Sequence, residues 1–361
     1  MRRTVGATLL GLALLLGCTT GTDEPRAAST PSSTPTAASG PAAESADPVP
    51  AEPSAPSTEP SPEASSPSAR PRVHPVSVPA LFDKRYDGRR LRLRRVLVRT
   101  DAYTQHAVTY RGDGLTVSGV MNVPAGRGRF PALVLAHGYI DPAIYVQGQG
   151  MRREQDWLAR AGYVVLHVDY RNHAASDDDP GADRRLRLGY TADVVNAVNA
   201  LRRSRLRFVD KGRIGLVGRS MGGGVIYNAL VAQPGLVDAA VVFAPVSSRA
   251  EDNFNRWIRD DRSELATSII DRYGAPERAR RFWREASPRT YFDRVTEPVL
   301  IHHGTADESC PIRWSRETLR ALERAGVDAR LDTYAGEPHA FIAAWPDSMR
   351  RTVRFLRRHL D

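Results

Sequence analysis

The chain has 361 residues, 41% of them hydrophobic, and a formal net charge of +10. That length is ample for a large buried core, and two cysteines, Cys18 and Cys310, are too few for a disulfide-scaffolded fold. Lys84 and Lys211 are the only lysines; the arginine-rich balance reads as solvated helix faces, with an anionic lipid or cell-wall surface as the alternative, and with no recognised binding module it does not point to nucleic acid.

The first 18 residues, MRRTVGATLLGLALLLGC, join Arg2 and Arg3 to an apolar run from Val5 to Leu16 that is too short to span a bilayer comfortably. The run closes on Leu15-Leu16-Gly17-Cys18, which resembles the lipobox of bacterial lipoproteins. The resemblance implies cleavage before Cys18, a diacylglyceryl anchor on its thiol and an extracytoplasmic, membrane-anchored protein, with plain secretion as the alternative. With Cys18 lipidated, Cys310 has no partner in the chain and reads as a small buried hydrophobe. Residues 19–75 are dominated by Pro, Ser, Thr and Ala, lack aromatic residues and hold only Val49 and Val73 as branched aliphatics. Such a segment cannot offset its ordering entropy by burial, so a disordered tether is expected. The folded domain is expected over 76–361, without a membrane-spanning helix.

Within that domain, segments 93–100, 106–111 and 115–123 alternate in strand fashion, with Gly112-Asp113-Gly114 as a turn. FPALVLAHG (130–138) is an almost continuous apolar run, as expected for a strand covered on both faces. A helix over 151–162, a buried strand over 163–170 and a helix over 191–203 follow. Next come a strand over 213–218, a helix over 221–233 and a buried strand over 238–246. Residues 249–292 hold two or three helical stretches. A strand (298–304), a helix (313–326), a strand (329–335) and a closing helix (347–360) complete the chain. This alternation implies an α/β fold with a mostly parallel, doubly wound sheet, helices on both faces and an antiparallel edge. Residues 249–292 read as a small helical cap. Trp257, Phe282 and Trp283 within it read as core residues, with the lining of an apolar pocket as the alternative.

The chemistry centres on Gly218-Arg219-Ser220-Met221-Gly222, a G-x-S-x-G. As a bare pattern it is close to coincidence, but it follows the strand RIGLV and opens the helix MGGGVIYNAL. That is the strand–turn–helix placement a nucleophile elbow requires. A serine hydroxyl needs an adjacent base, and the base needs an orienting acid. In this fold type the acid and then the histidine follow the serine. His302 and His303 lie inside a strand and His359 ends the last helix, which leaves His339, in GEPHAF, as the candidate base. Asp307, in GTADES just past the strand PVLIHHG, is the candidate acid, with Glu308 its neighbouring rival; Asp293 lies at the wrong end of that strand. The candidate oxyanion donors are the backbone N–H groups of Met221 and of Tyr139, in the loop after the strand ALVLA. His137 reads as a packing residue beneath that loop.

From about residue 104 to 361 the chain resembles the catalytic domain of the prolyl oligopeptidase family of serine peptidases and the related dienelactone-hydrolase-like esterases, both of the α/β-hydrolase superfamily. The carriers are GLTVSGVMNVPAG, LVLAHGYI, GRSMGGG, VLIHHGTADESCP and EPHAF. The resemblance implies a Ser220, Asp307, His339 triad acting on peptide or ester bonds through an acyl-enzyme. It departs from the prolyl oligopeptidases in one respect, since only a short segment precedes the hydrolase core and leaves no room for the β-propeller that gates their substrates. DYRNHAASDDDP resembles the D-x-R-G-H-G-x-S-D loop of many α/β hydrolases, with Asn172 and Ala174 in place of glycines. Asp177–Asp179 read as a helix cap, with calcium as the alternative. No metal or cofactor is expected, and the substrate is a small-molecule ester or peptide. The rival of another class is a non-catalytic envelope protein on a hydrolase scaffold.

Overall fold

The chain divides into two units, Met1–Ser68 and Ala69–Asp361. The computed structural model describes residues 73–360, all within the second. The leader, Cys18 and all but the last three residues of the expected tether lie outside the described residues.

Among the described residues nine strands form one sheet in the order β1-β2-β3-β5-β4-β6-β7-β8-β9. The first three, β1 (Arg89–Arg99), β2 (Tyr103–Gly112) and β3 (Leu115–Pro124), are antiparallel. Their chain connections are short turns, so they pair as a meander. β1 is the edge, and its arginines face solvent, a charge pattern that discourages edge-to-edge pairing. β4 (Phe130–Ala136), β5 (Val164–Val168), β6 (Val209–Arg219), β7 (Ala239–Phe243), β8 (Val299–Gly304) and β9 (Ala329–Tyr334) are parallel. β3 meets this block antiparallel through β5.

The parallel strands read as continuous apolar runs because both faces are covered. In β4, Leu133 and Leu135 join one core layer and Ala132, Val134 and Ala136 the other. The helices α1 (Arg152–Arg160) and α8 (Trp345–Leu360) close the first layer through Leu158, Leu356 and Leu360. On the other face lie α2 (Leu188–Arg202), α3 (Met221–Ala232) and α7 (Ile312–Arg324), with Val194, Ile226 and Leu322 in the core. Truncating one of these buried leucines to alanine costs about 2–5 kcal/mol. The stretch 249–292 forms three short helices, α4 (Ala250–Trp257), α5 (Ser263–Tyr273) and α6 (Arg280–Glu285), and a 3-10 turn over Pro288–Arg294. Phe254, Ala266, Ile269 and Trp283 give the three helices a small core of their own. No helix among the described residues is long and apolar enough to cross a membrane.

This architecture places the loops after β4, β6, β8 and β9 at one edge of the sheet, the carboxyl ends of its parallel strands. Tyr139, Ser220, Asp307 and His339 all stand on those four loops.

Candidate active site

Ser220 occupies the single residue between β6 and α3, at φ 54° and ψ −121°. This is a costly conformation for a residue with a side chain, and the surrounding backbone holds it there. The Ser220 N–H donates to the Phe243 carbonyl on β7 (2.9 Å), and its own carbonyl accepts from Gly223 and Val246. Gly222 is obligatory, because a Cβ there would run into the Ala136 carbonyl at the end of β4. The turn is therefore forced by close packing against two neighbouring strands.

Strands β8 and β9, beyond β7 on one side of β6, deliver the partners. The Asp307 carboxylate is buried just past β8, and its Oδ1 accepts the N–H groups of Ser309 (2.9 Å) and Cys310 (2.8 Å). Its Oδ2 lies 2.8 Å from His339 Nδ1. Burial alone would raise this carboxyl. Hydrogen bonds from His303, His339 and the Cys310 N–H outweigh it and hold the group well below the usual carboxylate range. Asp307 thus stays ionised and holds His339 through Nδ1, an arrangement that leaves Nε2 as the ring's open acceptor. Glu308, the sequence rival, is exposed and offers only its carbonyl, to Arg256.

The hydroxyl itself is turned aside. Ser220 Oγ makes no hydrogen bond to His339 and lies 3.9 Å from Cys310 Sγ. Hydrogen bonds between a nucleophile and its base are commonly long or misaligned without substrate and tighten only when it is bound. Cys310 is fully buried and packs with Val246 and Trp314. Burial, with the nearby Asp307 charge, pushes its thiol up to about 12, so it stays a protonated, inert packing group.

The two candidate oxyanion donors, Met221 and Tyr139, line one cavity with Ser220. Met221 is the first residue of α3, so its N–H precedes the first intrahelical bond. Across from it runs the loop carrying Gly138 and Tyr139. A Cβ at Gly138 would stand 3.1 Å from the Ser220 Cβ, so this backbone passes directly beside Ser220. The Tyr139 ring is exposed and lies under the Arg187 guanidinium at 4.4 Å. Beneath the loop, His137 is fully buried against Tyr145 and Tyr170. Burial lowers its pKa to about 4, so it is a neutral packing residue near pH 7.

A cavity of about 580 Å³ opens onto Ser220, Met221, Tyr139 and His339. Its walls are mostly apolar, with Leu188, Val225, Val246, Phe254, Trp257 and Ile258 among them. The cap therefore contributes to the site. The three cap aromatics singled out in the sequence divide: Trp283 is core, Phe282 packs beside it, and Trp257 lines the cavity with its ring against Trp314 at 5.5 Å. Reading all three as core is thus corrected for Trp257, whose α4 position faces the serine rather than α5 and α6. Asp183 also lines the cavity, held between Arg187 (2.6 Å) and Arg262 (2.7 Å).

His303 was invisible as a site residue in the sequence. Its Nε2 lies 3.2 Å from Asp307 Oδ2 and 2.7 Å from the Cys310 carbonyl, while Nδ1 meets Ser315 Oγ at 2.6 Å. It therefore braces the acid from behind. Strand alternation does place His302 and His303 on opposite faces, but nothing in the spacing says which face carries the acid. The acids of the DYRNHAASDDDP loop find arginine and backbone partners: Asp179 pairs with Arg171 and Arg185, and Asp177 accepts the Thr116 N–H. Asn172 and Ala174, which replace glycines of the resembled motif, both keep positive φ, at 66° and 51°. Among the described residues no cluster of His, Cys, Asp and Glu is placed to hold a metal.

Residues 149–361 match the family model described as the prolyl oligopeptidase family. Similar curated proteins include the uncharacterized peptidase YuxL of Bacillus subtilis, 28% identical over 63% of this chain and 34% of its own length. Dipeptidyl peptidase 4 of Sus scrofa is 30% identical over 49% of this chain and 22% of its own length. The chain thus spans about a third or less of the length of these relatives. Among solved structures, the acylaminoacyl peptidase of Pyrococcus horikoshii aligns over 72% of this chain and 42% of its own, with a TM-score of 0.57 and 20% identity. An acetyl xylan esterase from a Paenibacillus aligns over 78% of this chain and 92% of its own, with a TM-score of 0.58 and 20% identity. These two likenesses establish the α/β-hydrolase fold, and the family match over more than half of the sequence establishes descent: the chain belongs to the prolyl oligopeptidase family of serine hydrolases.

Proposed function

We propose that the protein cleaves peptide or carboxylic ester bonds through an acyl-enzyme on Ser220. The observation that carries this reading is the meeting of Ser220, on its forced elbow, and the Asp307-paired His339 in one cavity. His339 Nε2 takes the Ser220 proton as Oγ attacks the substrate carbonyl. The N–H groups of Met221 and Tyr139 hold the oxyanion that forms. The imidazolium, steadied by Asp307, then protonates the leaving amine or alcohol as the scissile bond breaks. Water repeats the sequence on the acyl-enzyme, its proton going to His339 and then back to Ser220 Oγ. The apolar walls around Val225, Phe254 and Trp257 suit an apolar group on the substrate.

The family favours the peptidase reading. The acetyl xylan esterase, which the fold matches over nearly its whole length, supports the ester reading. A matched panel of aminoacyl amides, proline peptides and short-chain esters separates the two. Ser220→Ala is expected to lower turnover of the favoured substrate by at least about 10⁴-fold while the variant stays folded. Turnover persisting in that variant would reject the reading. We further propose that Cys18 carries a lipid anchor that keeps the enzyme on the outer side of the membrane. Radiolabelled fatty acid should enter the wild-type protein and not Cys18→Ala; label in both, or in neither, would reject the anchor.

A further inference from the structure

The loop that carries His339 runs from β9 to α8 with no strand or helix of its own. Three successive carbonyls in it are nevertheless held. The Arg219 Nη1 group donates to the His339 carbonyl at 3.0 Å. Arg153, on α1, donates to the Ala340 carbonyl and, at 3.2 Å, to that of Phe341. The guanidinium groups are themselves fixed. Arg219 Nε donates to Glu154 Oε1 at 3.1 Å, and Arg153 lies over the Trp345 ring at 4.1 Å. Glu154 and Arg219 are only 2% and 8% exposed.

A buried ion pair is a poor way to gain stability, because desolvation consumes most of the attraction and an apolar pair of equal size does as well. This pair does something an apolar pair cannot: it aims a guanidinium N–H at one peptide carbonyl. The imidazole of His339 has a single hydrogen bond, to Asp307, and would otherwise pivot with its loop. Fixing the 339–340 peptide plane fixes the direction in which the side chain leaves the backbone. Arg219 is also the residue next to Ser220, so one side chain spans from the nucleophile's backbone to the base's backbone.

We propose that Arg219 and Arg153, with Glu154 behind Arg219, are positioning residues that set the distance between His339 and Ser220. This rests on the reading of Ser220 as nucleophile and His339 as base. The test measures kcat and KM per active site, counted by the burst of a fluorophosphonate or chromogenic ester, for Arg219→Met, Arg219→Lys, Glu154→Gln and Arg153→Gln. Arg219→Met is expected to lower kcat per titrated site about 10- to 100-fold, since displacements of about 1 Å carry losses of that size. KM should move less than about threefold, and Arg219→Lys should recover part of the loss because it keeps a donor. Glu154→Gln and Arg153→Gln should lose less than Arg219→Met. A purely structural role would reduce the number of titrated sites and leave kcat per site unchanged, and that result would overturn the proposal. If the Arg219 variants do not fold, Arg153→Gln decides: a lowered kcat per site supports the proposal and an unchanged one rejects it. Failure of the underlying site reading is distinguishable, because Ser220→Ala would then remain active.

Discussion

Ser220 and His339 stand side by side at the rim of one sheet, yet they are held by different means. The serine's turn is dictated by backbone: Gly222 lies against the Ala136 carbonyl, and the Ser220 N–H and C=O are tied to Phe243, Gly223 and Val246. The histidine's loop is shaped by side chains, with Arg219, Arg153 and Glu337 reaching its carbonyls and N–H groups. The nucleophile side is therefore written in small, local residues. The base side is written in charged residues aimed at main chain, Glu337 from within the loop and Arg219 and Arg153 from far away in sequence. A backbone-built element fails when a Cβ is added; a side-chain-built element fails by degrees as single hydrogen bonds are removed.

The largest effect that sharpens this contrast falls on the acid between the two. Asp307→Asn is expected to lower kcat by about 10⁴-fold, because an amide no longer fixes the imidazole tautomer. The same carboxyl should make the wild type acid-sensitive. Its folded-state pKa lies below its ordinary 3.8, so its contribution to stability is complete above that value and is lost as the pH falls below it. A urea-midpoint titration from pH 6 downwards should show that loss in the wild type and not in Asp307→Asn.

Gly222→Ala comes next. The added methyl has nowhere to go without moving β4 or α3, so a loss of about 3 kcal/mol or more in unfolding free energy is expected, with activity falling alongside. On the base side, Glu337 accepts the Ile342 and Ala344 N–H groups from a nearly buried position. Glu337→Gln keeps the shape, loses charge-assisted acceptance and should cost about 1–2 kcal/mol, with a graded fall in kcat. If Gly222→Ala proved mild and Glu337→Gln all-or-none, the contrast would be reversed.

The smallest effect concerns the cap. Trp257 lines the cavity whereas Trp283 fills the cap's own core. Trp257→Ala should change KM or acyl preference by about tenfold with little change in melting temperature, while Trp283→Ala should cost about 3–5 kcal/mol of stability. Loss of stability in both would mean that the cavity wall is simply core.

The fold was legible because its signals are local. FPALVLA, YVVLHV and VLIHH read as covered strands, and the helices between them carry apolar residues at three- and four-residue spacing. Ser220, Asp307 and His339 could be selected by order, because each stands at the carboxyl end of a parallel strand, β6, β8 and β9 in turn. The supports were not legible. His303 lies only four residues before Asp307, but nothing in that spacing says its ring folds back on the carboxylate, and Arg219 and Arg153 reach backbone carbonyls of the His339 loop over more than a hundred residues of separation. Backbone carbonyls carry no residue identity, so no pattern in the sequence marks them as partners. Trp257 and Trp283 show the same limit: both sit on amphipathic cap helices, and only the placement of α4 beside Ser220 separates lining from core.

The central claim is that Ser220 is a nucleophile activated by His339. It is tested most directly by treating the folded protein with a fluorophosphonate probe and locating the adduct by peptide mass spectrometry. A single adduct on Ser220, absent in Ser220→Ala and slowed at least about 10²-fold in His339→Ala, is the predicted result. A folded protein left unlabelled, or labelled equally in the Ser220→Ala variant, would contradict the account.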